Sequence, residues 1–229
     1  MNTSITALIA CLLSGGPQAP KCHEEAAARG PAVAGEIKPA LLEALRDDPG
    51  PAVRERNNAV ALTGSATRRD PPHPDTAKLR KAKAAAEELG RMGEWRPLLS
   101  LGTITAVEGL AALENPPPKV LKALARWTGG KNARMRDAAA RALRAYGPKA
   151  APVVPEMIAL IDDKDGARYS ALTVLESMGP AAKAAVPRLG VLIKDKDWSS
   201  SAYSTLRAIG TPEAEKLLDD NPPWVPVSP

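Results

Sequence analysis

Gly147-Pro148-Lys149-Ala150-Ala151-Pro152-Val153-Val154-Pro155 is answered 32 residues later by Gly179-Pro180-Ala181-Ala182-Lys183-Ala184-Ala185-Val186-Pro187. The match extends outward from both copies. Downstream, Met157, Leu160, Ile161, Asp163, Lys164 and Asp165 align with Leu189, Leu192, Ile193, Asp195, Lys196 and Asp197. Upstream, Arg136 and Leu143 align with Arg168 and Leu175, and a third copy runs through Leu206 to Gly210 at an offset of 31. A fixed period in this range marks a repeat architecture, in which each unit buries its apolar face only by stacking on its neighbours.

Each unit reads as two helices. Residues 133–146 place Met135, Ala138, Ala139, Ala142, Leu143 and Tyr146 on one helical stripe, with Arg134, Asp137, Arg141 and Arg144 opposite. Asn132, Asp165 and Asp197 stand where a side-chain oxygen can cap the start of these helices, and Gly147, Gly179 and Gly210 stand at their ends. Pro155 and Pro187 fit the first turn of the partner helix, where a missing amide proton costs little. A weaker copy is expected near the start, with Gly30-Pro31 followed by Pro39, Leu41, Leu42 and Leu45. A more degenerate one runs from Leu89-Gly90 through Trp95–Leu99 and Ile104–Leu113 to Lys119–Trp127.

These motifs resemble HEAT repeats, especially the short bacterial kind also found in phycobilin lyases. The family's aspartate and following arginine are matched by Asp165 and Arg168, with Asn132 in the aspartate's place ahead of Arg136. The likeness covers residues 132–218 best and 24–64 next, and is weakest over 65–131. It implies an all-α fold, an α-solenoid of stacked antiparallel helix pairs, with Pro-opened helices on the convex side and Ala-rich helices on the concave side. Ser200 stands where the next arginine would fall, which interrupts a ladder of arginines with loop aspartates. By this reading residues 1–22 form an N-terminal apolar segment and 23–218 the repeat body. Residues 64–75, with Pro71, Pro72 and Pro74, form an irregular loop, and 219–229 an extended Pro-rich tail.

Composition narrows the chemistry. The 229 residues carry 31 Lys+Arg against 26 Asp+Glu, for a formal charge of +5, and 44% hydrophobic residues suffice for a folded core. Four Trp, three Tyr and no Phe argue against base-stacking platforms and against the aromatic cradle of a HEAT-like DNA glycosylase. Two Cys and two His are too few for a disulfide framework, a four-coordinate zinc site or the di-iron centre of a HEAT-like hydroxylase. His23-Glu24 is the one His-Glu pair, and Cys22 and His23 are expected at the exposed start of the first helix. The acidic turns Asp162–Asp165 and Asp195–Asp197 lack EF-hand spacing and fit capping better than calcium. No catalytic, cofactor-binding or metal site is expected, and no enzyme.

The apolar run from Ile5 to Leu13 is too short to span a bilayer. It matches the core of a secretory signal, and Leu8-Ile9-Ala10-Cys11 resembles a lipoprotein box, although no Lys or Arg precedes it. Export and a cytoplasmic location both stay open. Between Lys119 and Lys149 lie nine basic residues and one acid, Asp137, with Lys119, Lys122 and Arg126 on one helix face. The expected function is a non-enzymatic, monomeric scaffold for an unidentified protein partner. The candidate binding surface is Lys122 and Arg126 from the basic run, with Arg134, Arg141, Arg144, Tyr169, Thr173 and Glu176 from the outward faces that the resemblance places in the concave layer. The alternatives are nucleic-acid backbone binding through 119–149 and, from the resemblance alone, a subunit that handles a bilin. Trp224 in the tail reads as an end cap for the stack, with an anchor for a partner as the alternative.

Overall fold

The computed structural model describes residues 3–49, 75–163 and 166–222. Among them every regular element is helical, as the all-α reading expects. The chain divides into two compact units, Met1–Glu114 and Asn115–Pro229.

In the first unit the described elements are α1 (Ile5–Ser14), α2 (Ala19–Ala28), α3 (Pro31–Arg46), α4 (Asp75–Arg91), α5 (Trp95–Leu101) and α6 (Ile104–Leu110). Helix α4 is the hub, packing against α1, α3, α5 and α6. Its Ala82, Ala85, Ala86 and Leu89 are buried against Leu8 and Leu12 of α1, Ile37, Leu41 and Leu45 of α3, and Ala106, Val107 and Leu110 of α6. The apolar N-terminal run is thus part of this core. Ser4 caps α1 by accepting the Ala7 amide at 3.2 Å, and Gly15 ends it at φ 59°.

Two sequence expectations change in this unit. Cys11 and Cys22 form a disulfide that ties α1 to α2, so the thiol a lipoprotein box would offer is already engaged. Gly30-Pro31…Pro39 does not make a turn followed by a second helix: α3 runs unbroken through Pro39. Ile37, Leu41 and Leu45 keep helical spacing across Pro39, which is itself exposed, and burying them on α4 outweighs the one lost hydrogen bond. The loop expected over 64–75 falls almost wholly outside the described residues; Asp75 is already the first residue of α4.

The second unit carries α7 (Pro118–Thr128), α8 (Ala133–Tyr146), a 3-10 turn (Gly147–Val153), α9 (Val154–Leu160), α10 (Ala167–Met178), a second 3-10 turn (Gly179–Ala185), α11 (Val186–Leu192), α12 (Ser199–Ile209) and α13 (Pro212–Asp220). The two 3-10 turns, and α9 and α11, begin and end at residues 32 apart. Gly147, Gly179 and Gly210 follow α8, α10 and α12 at φ 53°, 57° and 57°, a region that L side chains avoid. The 3-10 turns were not anticipated. Their signal is the pairs Ala150/Val153 and Ala182/Ala185: a spacing of three stacks both side chains on one face of a three-residue turn, and all four are buried.

Helix α8 packs on α7 and α10, and α10 packs on α12. Equivalent positions form buried columns: Ala139, Ala171 and Ala202; Leu143, Leu175 and Leu206; Tyr146, Met178 and Ile209. Small residues in the first column let α8, α10 and α12 lie close, while the longer side chains of the other two fill the layer beneath. Asn132 caps α8 as expected, accepting the Met135 amide at 3.2 Å. Asp197 does not cap α12; its own amide donates to Asp195 Oδ1 at 2.9 Å, and α12 starts one residue later without a side-chain cap. Asp165 and Trp224 lie outside the described residues. Helix α13 continues to Asp220, two residues into the expected tail, because the prolines begin only at Pro222.

Candidate binding surfaces

The outward face of the α8–α10–α12 row is polar. Along α8, Asp137, Arg141 and Arg144 are exposed at i, i+4 and i+7, and Arg134 is half-buried with its Nη1 lacking a hydrogen-bond partner among the described residues. On α10, Tyr169 is 62% exposed, Thr173 donates its hydroxyl to the Ser170 carbonyl at 3.0 Å, and Glu176 accepts one from Ser204 of α12 at 3.0 Å. The repeat offset sets these side chains in rows: Arg141, Thr173 and Ser204, then Arg144, Glu176 and Arg207. Basic charge is therefore densest on α8, while α10 and α12 mix the hydroxyls of Thr173 and Ser204 with Glu176 and Arg207.

Lys122 and Arg126 belong to α7. Both are exposed on α7, on the side away from Val120, Leu121 and Leu124. Asp137, Arg141 and Arg144 lie on the side of α8 away from its buried Ala139 and Leu143. Each basic set thus lies on the exposed side of its own helix.

The repeat arginines are structural. Arg136 donates from Nη1 to the carbonyls of Gly130 and Lys131 at 3.1 and 3.2 Å, and its guanidinium lies beside Gly166, where an added Cβ would meet Nη2 at 3.1 Å. Arg168 donates to the Ile161 carbonyl and places its guanidinium 5.0 Å from the Trp198 ring centroid. Among the described residues both bind main-chain carbonyls of the preceding turn; Asp165, the aspartate expected in a ladder with them, lies outside the described residues. Where the last copy lacks its arginine, Trp198 receives the preceding one by a cation–π contact.

The first unit contains a site the sequence did not disclose. A cleft of about 560 Å³ is lined by Ala26, Ala27, Gly30, Ala34, Gly35, Ile37 and Met92, with His23, Lys38, Glu88, Arg91 and Glu94 as its charged or ionisable groups. Glu88 is 2% exposed and accepts from His23 Nδ1 at 2.7 Å; Arg91 Nη1 lies 3.5 Å from its other oxygen and also pairs with Glu87. Lys38 and Glu94 form a salt bridge at 2.6 Å. His23 is therefore half-buried in mid-α2 with Glu88 as partner, and neither sits at an exposed helix start nor pairs with Glu24. Sixty-five residues separate the two, so no local pattern could have joined them.

Among the described residues no cluster of three or more His, Cys, Asp or Glu could hold a metal ion, and no helix is long and apolar enough to cross a membrane. What the fold and surfaces define, among the described residues, is an all-helical protein: its second unit repeats a 32-residue order of elements and presents a polar helical face, and its first unit contains a mixed cleft. Compared with family models, curated proteins and solved structures, the chain finds no match.

Proposed function

We propose that the chain is a non-enzymatic, HEAT-like α-solenoid scaffold, acting as a monomer, that binds a protein partner on the outward face of α8 and α10. The observation that carries this reading is the direct packing of α8 on α10, which joins Arg134, Arg141 and Arg144 to exposed Tyr169 on one surface. Aromatic residues and arginine are the types most often found at the energetic centre of protein interfaces. Basic groups on α8 favour a partner with acidic side chains, and the hydroxyls of α10 and α12 supply neutral hydrogen bonds beside them.

The test compares the wild-type chain with Arg141→Glu/Arg144→Glu/Tyr169→Ala by affinity purification from native lysate and quantitative mass spectrometry. A protein retained by the wild type, lost with the variant and rebound by purified wild type supports the reading. The same set recovered with both overturns it. Nucleic-acid backbone binding keeps one supporting feature, the exposed stripe of Lys119, Lys122 and Arg126 on α7. It requires anisotropy binding to a duplex that weakens steeply with salt and disappears on charge reversal of Lys122 and Arg126.

A further inference from the structure

We infer that α2 is a redox latch, independent of the scaffold surface: the bridge between Cys11 and Cys22 holds it against the cleft of the first unit, and reduction by a dithiol releases it. Among the residues of α2 only Ala26 is buried, whereas α1 is anchored by Leu8 and Leu12 and α3 by Ile37, Leu41 and Leu45. Apolar burial therefore fixes α1 and α3 and does little to fix α2. Discrete bonds hold it in place. Cys22 is tied to Cys11, His23 Nδ1 donates to Glu88 at 2.7 Å, and the Thr3 hydroxyl donates to Glu25 at 3.0 Å. The bridge is the covalent member of this set, and it fastens α2 to a helix already seated in the core.

The surroundings of α2 permit the movement. Gly15 at φ 59° follows α1, and Gly30 at φ 84° stands between α2 and α3, where an added Cβ would meet nothing within 4 Å. Gln18 gives the helix no side-chain cap. On its inner side there is open volume: His23, Ala26 and Ala27 form one wall of the cleft, and α3 and α4 supply the others. Cys11 and Cys22 are both partly exposed, so an attacking thiolate can reach the bridge. The thiolate bonds to one sulfur and expels the other; the reductant's second thiol then attacks its own bonded sulfur and frees the protein. The dithiol leaves as a cyclic disulfide, and its two electrons and two protons end on the Cys11 and Cys22 thiols. With the tether cut, α2 turns about its glycine ends, His23 parts from Glu88, and the cleft opens on that side.

The test is amide hydrogen exchange of the full chain, read by mass spectrometry before and after dithiothreitol, with iodoacetamide labelling of a parallel sample to count the freed thiols. Once both thiols are free, the amides of α2 should exchange at least about tenfold faster, while those of α3 and α4 keep their protection. Oxidised dithiothreitol should restore the slow exchange. Cys11→Ser/Cys22→Ser should show the fast α2 exchange without reductant and no response to it. Three outcomes overturn the proposal: a bridge that dithiothreitol leaves closed in the native chain, α2 protection unchanged with both thiols labelled, or α3 and α4 losing protection together with α2, which is unfolding of the whole unit. Should the double variant fail to fold by circular dichroism, reduced and reoxidised wild type still decide the matter.

Discussion

Tyr146 begins the buried column that continues through Met178 and Ile209, and burial pushes its phenol well above the ordinary tyrosine value. In the unfolded chain the phenol ionises near about pH 10, whereas the folded state holds its proton longer. The stability this contributes is therefore fully present below about pH 10 and is lost as pH rises through the folded-state value. Melting temperature followed into the alkaline range should fall more steeply for wild type than for Tyr146→Phe, which has no proton to lose. Glu25 shifts the other way: a hydrogen bond from Thr3, then the Arg29 charge, outweigh desolvation and lower its carboxyl below the usual range. Its contribution is present above the unfolded carboxyl value and disappears as pH falls through the lower folded one. Thr3→Ala should move the Glu25 titration upward in a carboxyl-detected NMR series; an unmoved midpoint would remove Thr3 as the main cause. Sequence alone made Tyr146 a core residue from its place on the α8 stripe. It was silent about Glu25, because Thr3 and Glu25 meet only once α1 folds back on α2.

At the level of elements, the crossing of α4 and α6 is the tightest point in the first unit. A Cβ at Gly90 would lie 2.1 Å from the Gly109 carbonyl oxygen, and one at Gly109 would lie 2.4 Å from that of Ala86. Both obstacles are backbone, so neither helix can yield locally. Gly90→Ala and Gly109→Ala should each destabilise by about 1–3 kcal/mol or more, read as a lower urea midpoint with an unchanged slope. Gly35→Ala, in open space on α3, should instead stabilise by about 0.5–1 kcal/mol. Leu89-Gly90 reads as the opening of the degenerate middle copy. In fact α4 runs on to Arg91, and Gly90 is buried at a crossing. A glycine that permits φ > 0 and one that permits close approach are written with the same letter. Where Gly-Pro recurred with apolar residues at matching offsets, the ends of α8 and α10 were readable to the residue. In α3 the single Pro39 was misread, since only burial on α4 shows which residues keep the helix going.

Across the whole chain, the disulfide lies in the first unit alone. Closing a loop of this length contributes roughly 3 kcal/mol through the unfolded state. Calorimetry with and without reductant should lower the transition of Met1–Glu114 and leave that of Asn115–Pro229, also expressed separately, where it was. If both transitions move together, the two units do not unfold independently. The polar outward face of α8 and α10 was largely legible, because a strict period carries side-chain direction with it. The cleft was not, since its His23 and Glu88 come from helices distant in sequence and its walls are defined by side chains that are missing. The equal spacing of elements in the second unit also makes residues 147–178 an interchangeable part. A duplicate of that stretch placed directly after Met178 would meet a Gly-Pro turn ahead and the end of an Ala-rich helix behind, as the original does. The length of the array is thus a quantity that unequal recombination can change in whole steps, without any new interface having to be invented.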